Sequence, residues 1–276
     1  MPLSIGRSIT GSLAWLVYQF NSKNRKVTEI NLKLCYPNLK QEEIDKLTRK
    51  SIKSSSHLIT EIPRVWMRPY NKTANLIHHI EGESILIKDK SAPAVGTLII
   101  TPHIGNWEVL YQYLLQKYTI SALYKPPKIA ELEPVMRAGR EQSGGSIIRA
   151  TRMEARKMLK VLKNGEYLIL LPDQNPQDGS GVFAHFYGIP AYTMTLLQGL
   201  AKRTKANVIM ATAIRSHGGY SIHFSDVDID PLLSEEEYAT QLNLYLQKTI
   251  DKNPEQYEWA YKRFKKAPEG KSRFYD

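Results

Sequence analysis

Apolar residues recur at helical spacing through the first third of the chain. Leu3, Ile5, Ile9, Leu13, Leu16, Val17 and Phe20 form one broad stripe, which predicts an amphipathic helix close to the N-terminus. The stretch "NLKQEEIDKLTRKSIKSSSHLITEI" (38–62) carries Leu39, Ile44, Leu47, Ile52, Leu58 and Ile62 among charges, and Pro37 and Asn38 supply its start signal. The period then changes. Short apolar runs at 96–101, 119–124, 166–174, 207–214 and 220–224 read as strands, the one at 166–174 as a buried strand running into a polar loop. Between them helical patterns return at 107–116, 129–142, 152–162, 193–204 and 234–252. The segment 175–191, rich in Gly, Pro, Asp and aromatics, reads as a long loop.

Strands alternating with helices predict an α/β fold, a mostly parallel central sheet flanked by helices, with a helical N-terminal arm. The expected division is 1–75 for a membrane-associating helical arm and 76–276 for one integrated α/β region. At 276 residues the chain can build a full core without metal or disulfide. Its single cysteine, Cys35, excludes an internal disulfide and a cysteine-based zinc cage. The net charge of +11 favours anionic partners, such as acidic headgroups or an acidic carrier protein. No nucleic-acid-binding motif accompanies that charge, so no nucleic-acid partner is expected. The stretch "SLAWLVYQF" (12–20) is too short to span a bilayer and has no signal-peptide cleavage site after it. Flanked by Arg7 and by Lys23, Arg25 and Lys26, it suits a helix lying in a membrane interface, and equally a helix packed on the domain.

"TPHIGNWEVL" (101–110) places a histidine where a strand ends, the position where open α/β sheets hold their ligands. Gly105 permits a sharp turn, Asn106 can cap the following helix, and Glu108 lies in that helix's first turn. A carboxylate there could orient the His103 imidazole and free its second nitrogen as a base, although capping and packing explain the same residues. A metal site is not expected. The stretch has one histidine, and His78 and His79 lie in a different segment with no cysteine or acidic cluster around them. There is no Gly-x-Ser-x-Gly elbow and no phosphate-cradling Gly-x-x-x-x-Gly-Lys loop. The "SGGS" turn at 143–146 does not have the setting of a nucleophile elbow, and Cys35, beside Tyr36 and Pro37, reads as structural.

Six blocks in order change the weight of these options. They are "NLKLCYPNL" (31–39), "HIGNWE" (103–108), "YKPPKIAELEPVMRAGR" (124–140), "LPDQNP" (171–176), "GVFAHFYGIPAYT" (181–193) and "PEQYEWAYKRFKKAPEG" (254–270). Together the blocks resemble the late acyltransferases of lipid A biosynthesis, the lauroyl/myristoyl transferases of the wider lysophospholipid acyltransferase superfamily. The resemblance implies a glycerol-3-phosphate acyltransferase-like fold. It also implies His103 as general base and Glu108 as its orienting partner. For substrate binding it implies Arg140, Asp173, Gln174 and Asn106, with Arg137 as a neighbour of Arg140. The "FYG" at 186–188 stands where the family has Phe-Phe-Gly.

The implied reaction is transfer of a fatty acyl group from acyl-acyl carrier protein to a hydroxyl of a Kdo-bearing, phosphorylated lipid A precursor. It needs no cofactor and no metal, and places the protein on the cytoplasmic face of the inner membrane. Imidazole, with an unperturbed pKa of about 6.5, suits the proton transfers. Arg140 is a candidate donor to the oxyanion, and could equally bind a phosphate of the glycolipid, orient the donor or form a surface ion pair. Family members commonly begin with a spanning helix, and this chain starts near where that helix would end. The expectation is therefore a trimmed anchor, or attachment through the amphipathic N-terminus and basic surface. The alternatives are the same chemistry on another membrane glycolipid or aminolipid, and a peripheral lipid-binding protein without catalysis.

Overall fold

A computed structural model describes residues 2–20, 22–86, 95–127, 129–142, 144–269 and 274–275. Helices fill the N-terminal part: α1 (Leu3–Gln19), α2 (Lys23–Cys35), α3 (Gln41–Trp66) and the single turn α4 (Asn71–Ala74). The alternating part follows as β1 (Ile77–Glu81), β2 (Thr97–Ile100), α5 (Trp107–Leu115), β3 (Ile120–Tyr124), α6 (Glu133–Glu141), β4 (Ser146–Arg149), α7 (Ala155–Lys163) and β5 (Tyr167–Leu170). A hairpin, β6 (Gly181–Phe186) and β7 (Ile189–Met194), leads to α8 (Leu196–Thr204), β8 (Asn207–Ser216), β9 (Gly219–Asp226) and α9 (Glu235–Ile250).

Seven strands form one sheet in the order β1-β9-β8-β2-β5-β3-β4. The pairs from β8 through β2, β5 and β3 to β4 are parallel, β8 and β9 are antiparallel, and β1 runs parallel to β9. The predicted α/β class with a mostly parallel sheet holds. β2 and β5 sit at the centre, buried along their whole length. Leu98 and Ile100 face one layer with Leu168, Leu170, Leu162 and Leu197, while Ile99 faces the other with Ile169, Val109 and Leu110. That two-sided burial is why these runs lack polar alternation.

Three segments depart from the sequence expectation. The predicted loop at 175–191 holds most of the β6–β7 hairpin, which runs on to Met194 where the sequence predicts a helix from 193, and whose turn is Tyr187-Gly188 with φ of 51° and 76°. Both residues are left-handed, as a tight hairpin turn requires, but a tyrosine there carries none of the usual Asn-Gly signal. Its strain, on the order of 1 kcal/mol, is offset by a hydrogen bond from the Tyr187 hydroxyl to Asp251 and by edge contacts with Phe186 and Tyr36. The segment holding His78 and His79 is edge strand β1, and β4 follows the "SGGS" turn; Ser143 of that turn lies outside the described residues. Both strands are short edges with little apolar content to announce them.

Candidate active site

The site forms where the two central strands end. Ile100 of β2 pairs with Leu170 of β5, and each strand is followed by one residue, a proline, and then a titratable side chain. Pro102 and Pro172 hold the chain extended at Thr101 and Leu171. The matched register therefore brings His103 beside Asp173. Asp173 Oδ1 accepts from the His103 ring at Nδ1 (2.7 Å), and Oδ2 accepts from the His103 backbone N–H (2.9 Å). The carboxylate can only accept, so the proton of the neutral ring sits on Nδ1 and Nε2 is left as a base. Asp173 is fully buried, while the His103 side chain keeps about a fifth of its surface exposed. Burial alone would raise the Asp173 carboxyl; the adjacent His103 imidazole, the two hydrogen bonds from His103 and Arg263 outweigh burial and hold the carboxyl below its usual range.

This pairing corrects the expected His103–Glu108 partnership. Glu108 is buried in the first turn of α5, where its carboxylate is taken by other partners. Arg140 Nε reaches both of its carboxylate oxygens at 3.2 Å, Arg140 Nη2 donates to Oε1 at 2.5 Å, and Trp66 Nε1 donates to Oε2 at 3.0 Å. The reason is helical geometry. Glu108 lies in the first turn of α5, on the side where α3 and α6 pack. Gly139 makes the approach possible, because a Cβ there would stand 2.3 Å from the Trp66 side chain. Arg140 thus engages Glu108 through both Nε and Nη2. Burial works against its charge, and Glu108 more than compensates, keeping the guanidinium above its ordinary value.

Between the two acids the turn is tightly specified. Gly105 has φ of 58°, and a Cβ on it would fall 2.1 Å from the Ala213 carbonyl oxygen. Asn106 is completely buried. Its Oδ1 accepts from the N–H groups of Glu108 and Val109, and its Nδ2 donates to Glu61 Oε2 and the Tyr220 hydroxyl. That is a helix cap, as its spacing predicted, and its burial leaves no surface for substrate. The Trp107 ring meets His103 edge-on, with centroids 5.0 Å apart. A C-terminal strap closes the turn from the other side: Glu258 N–H donates to the His103 carbonyl, Gly105 N–H donates to the Gln256 carbonyl, and Ile104 bridges Tyr257.

The remaining expected residues are spread out. Gln174 follows Asp173 and is half-buried. Arg137 points to Tyr124 and Glu141, half-exposed, in a separate cluster with Arg149 and Glu133. Sequence reading missed Glu61, Arg215 and Arg263. Glu61 was detectable as an acid on the buried stripe of α3, in line with Thr48, Ser51 and Val65. Arg263 is buried between Asn175, the Tyr192 carbonyl and the Thr193 hydroxyl, and helps hold Asp173 ionised. Among the described residues no His/Cys/Asp/Glu group of three or more could hold a metal ion.

The family model for bacterial lipid A biosynthesis acyltransferases matches residues 1–266. The chain belongs to that family. It is thus an acyltransferase, and His103 and Asp173 lie in two of the six blocks that carry the family resemblance. The chain is 28% identical over 275 residues to the lipid A biosynthesis lauroyltransferase of Escherichia coli K12, covering 98% of this chain and 88% of that protein. It is 26% identical over 263 residues to the palmitoleoyltransferase of the same organism, covering 93% and 83%. Among solved structures it is similar to the 1-acyl-sn-glycerophosphate acyltransferase of Thermotoga maritima, at 13% identity with a TM-score of 0.40 over 90% of this chain and 95% of that one.

Proposed function

We propose that this acyltransferase moves a fatty acyl chain from acyl-acyl carrier protein to a hydroxyl of a Kdo-bearing lipid A precursor, by direct attack assisted by His103. The carrying observation is the His103–Asp173 pair, with Nδ1 tied to a buried carboxylate and Nε2 left for substrate. As the acceptor oxygen attacks the thioester carbon, its proton passes to Nε2. The tetrahedral oxyanion then collapses, the C–S bond breaks, and Nε2 returns the proton to the leaving sulfur. Asp173 holds the tautomer and stabilises the imidazolium between the two transfers. The positive end of the α5 dipole, at Trp107, offers favourable potential to the oxyanion. Gln174, beside Asp173, is the proposed acceptor contact, and Arg137 with its neighbour Arg149 is proposed to meet headgroup phosphate.

Attachment is proposed at the cytoplasmic face of the inner membrane through α1. No helix among the described residues is long and apolar enough to cross a bilayer. α1 instead leaves Ile5, Ile9, Leu13, Trp15 and Phe20 exposed, next to the exposed Lys23 and Lys26.

An acyl-transfer assay with acyl-acyl carrier protein and a hydroxyacyl glycolipid tests the mechanism. His103→Ala is expected to lose activity by about 10³-fold or more, and Asp173→Asn by about 10²–10⁴-fold in kcat. Wild-type turnover by His103→Ala in a folded protein would favour the non-catalytic lipid-binding reading.

A further inference from the structure

α1 touches the catalytic turn through a chain of buried polar contacts. Its inner face (Leu3, Gly6, Thr10, Ala14, Tyr18) is buried against the molecule, while Ile5, Ile9 and Leu13 on its outer face are about half exposed. From the same helix Arg7 turns inward. Its Nε donates to Glu61 Oε1 at 2.7 Å, its two terminal nitrogens donate to the Ser216 and Gly219 carbonyls, and its guanidinium lies 5.1 Å from the Tyr220 ring centre. Glu61 has no exposed surface. Its other oxygen, Oε2, accepts from Arg215 Nε (2.8 Å) and Asn106 Nδ2 (3.2 Å). Burial would raise this carboxyl, yet Arg215 and Arg7 together hold it below its ordinary value.

Asn106 is thus fixed at both ends. Glu61 and Tyr220 take its amide protons, and its oxygen caps α5 three residues after His103. Of the hydrogen bonds among the described residues, that of Arg7 is the one on Glu61 Oε1. Remove it, and an oxygen of a fully buried carboxylate loses that donor. Such a group rotates toward the remaining donors or draws in water, and either response shifts Asn106.

We propose that Arg7 is a positioning residue for the reaction, which passes the seating of α1 on an anionic lipid surface through Glu61 and Asn106 to the turn that carries His103. The proposal rests on the acyltransferase reading above. A lipid surface can favour the seated state only if it binds that state better. The outward side chains supply the difference. α1 packs along α3, which exposes Ile59, with Met67 exposed just past its end, so both helices offer apolar side chains outward. Lys53 of α3 lies against Gly11 of α1, and with the exposed Lys50, Lys23 and Lys26 it supplies charge that complements anionic headgroups.

The test combines hydrogen exchange with kinetics, using vesicles of phosphatidylethanolamine and phosphatidylglycerol. In the wild type, vesicles are expected to slow amide exchange over 103–110 by roughly tenfold. Arg7→Gln should partition onto the same vesicles equally well, lose that protection, and lose roughly tenfold in kcat with KM little changed. Arg7→Lys should recover part of both. Circular dichroism and the exchange pattern of the central strands establish that each variant is folded. The proposal is overturned if vesicles leave 103–110 unchanged in the wild type, or if Arg7→Gln keeps wild-type protection and kcat. If the exchange pattern appears but the wild type transfers no acyl chain, the link stands and the acyltransferase mechanism fails.

Discussion

At the scale of single residues, two carboxylates near one histidine have been given different tasks by their surroundings. Asp173 grips His103 by ring and backbone, whereas Glu108 is spent on Arg140 and Trp66. Glu108→Gln should therefore act mainly on stability. It breaks a buried ion pair and leaves Arg140 uncompensated, a loss of about 3 kcal/mol, read as a lowered urea midpoint. The pH dependence of the remaining activity should keep its wild-type shape, because the proposed base His103 and its partner Asp173 are untouched. His103 was legible in the sequence as a histidine at a strand end, and Glu108 attracted attention only by being near it in the chain. The stronger signal was the parallel between "IITPH" and "ILLPD", two buried strands that each end in a proline and one titratable residue. Pairing those strands in register predicts the contact, but strand order has to be known first.

At the scale of elements, the β2–α5 connection turns on one backbone angle. Gly105 sits at φ 58° with the Ala213 carbonyl where a Cβ would be. Gly105→Ala combines a left-handed strain with a clash against backbone, which cannot move aside as a side chain can. A destabilisation of about 3 kcal/mol or more is expected in thermal or denaturant unfolding. Activity should fall in the protein that remains folded. The central strands and the helices between them were readable because burial on both faces writes continuous apolar runs. The hairpin at Gly181–Phe186 and Ile189–Met194 was not, since its strands are only partly buried and its turn uses tyrosine. Edge strands β1 and β4 escaped for the related reason that little of their side-chain surface enters the core.

At the scale of the whole molecule, the helical N-terminal part is bonded into the sheet by groups whose charge depends on burial. His57 of α3, hydrogen-bonded to Thr10 of α1, is pulled down from 6.5 to about 4 by burial first and by Arg215 second. Its folded value lies below its unfolded one, so the unfolded chain binds the extra proton between those limits. The stability it contributes is present above pH 6.5 and lost as pH falls toward 4. His57→Gln should flatten the drop in Tm over that window without changing it at pH 8. The charge of +11 and the apolar outer side of α1 were visible in the sequence, but the latch of Arg7, Glu61 and Arg215 was not, because it joins residues from three distant segments. All of these features serve one proposed outcome, acyl transfer to a lipid A precursor at a membrane surface. The most direct measurement is mass spectrometry of lipid A from a bacterial strain lacking its own late acyltransferases and expressing this protein. The wild type should add one acyl chain, and His103→Ala, present at equal level, should add none. An unchanged lipid A with the wild type, or an added chain with His103→Ala, would contradict the account.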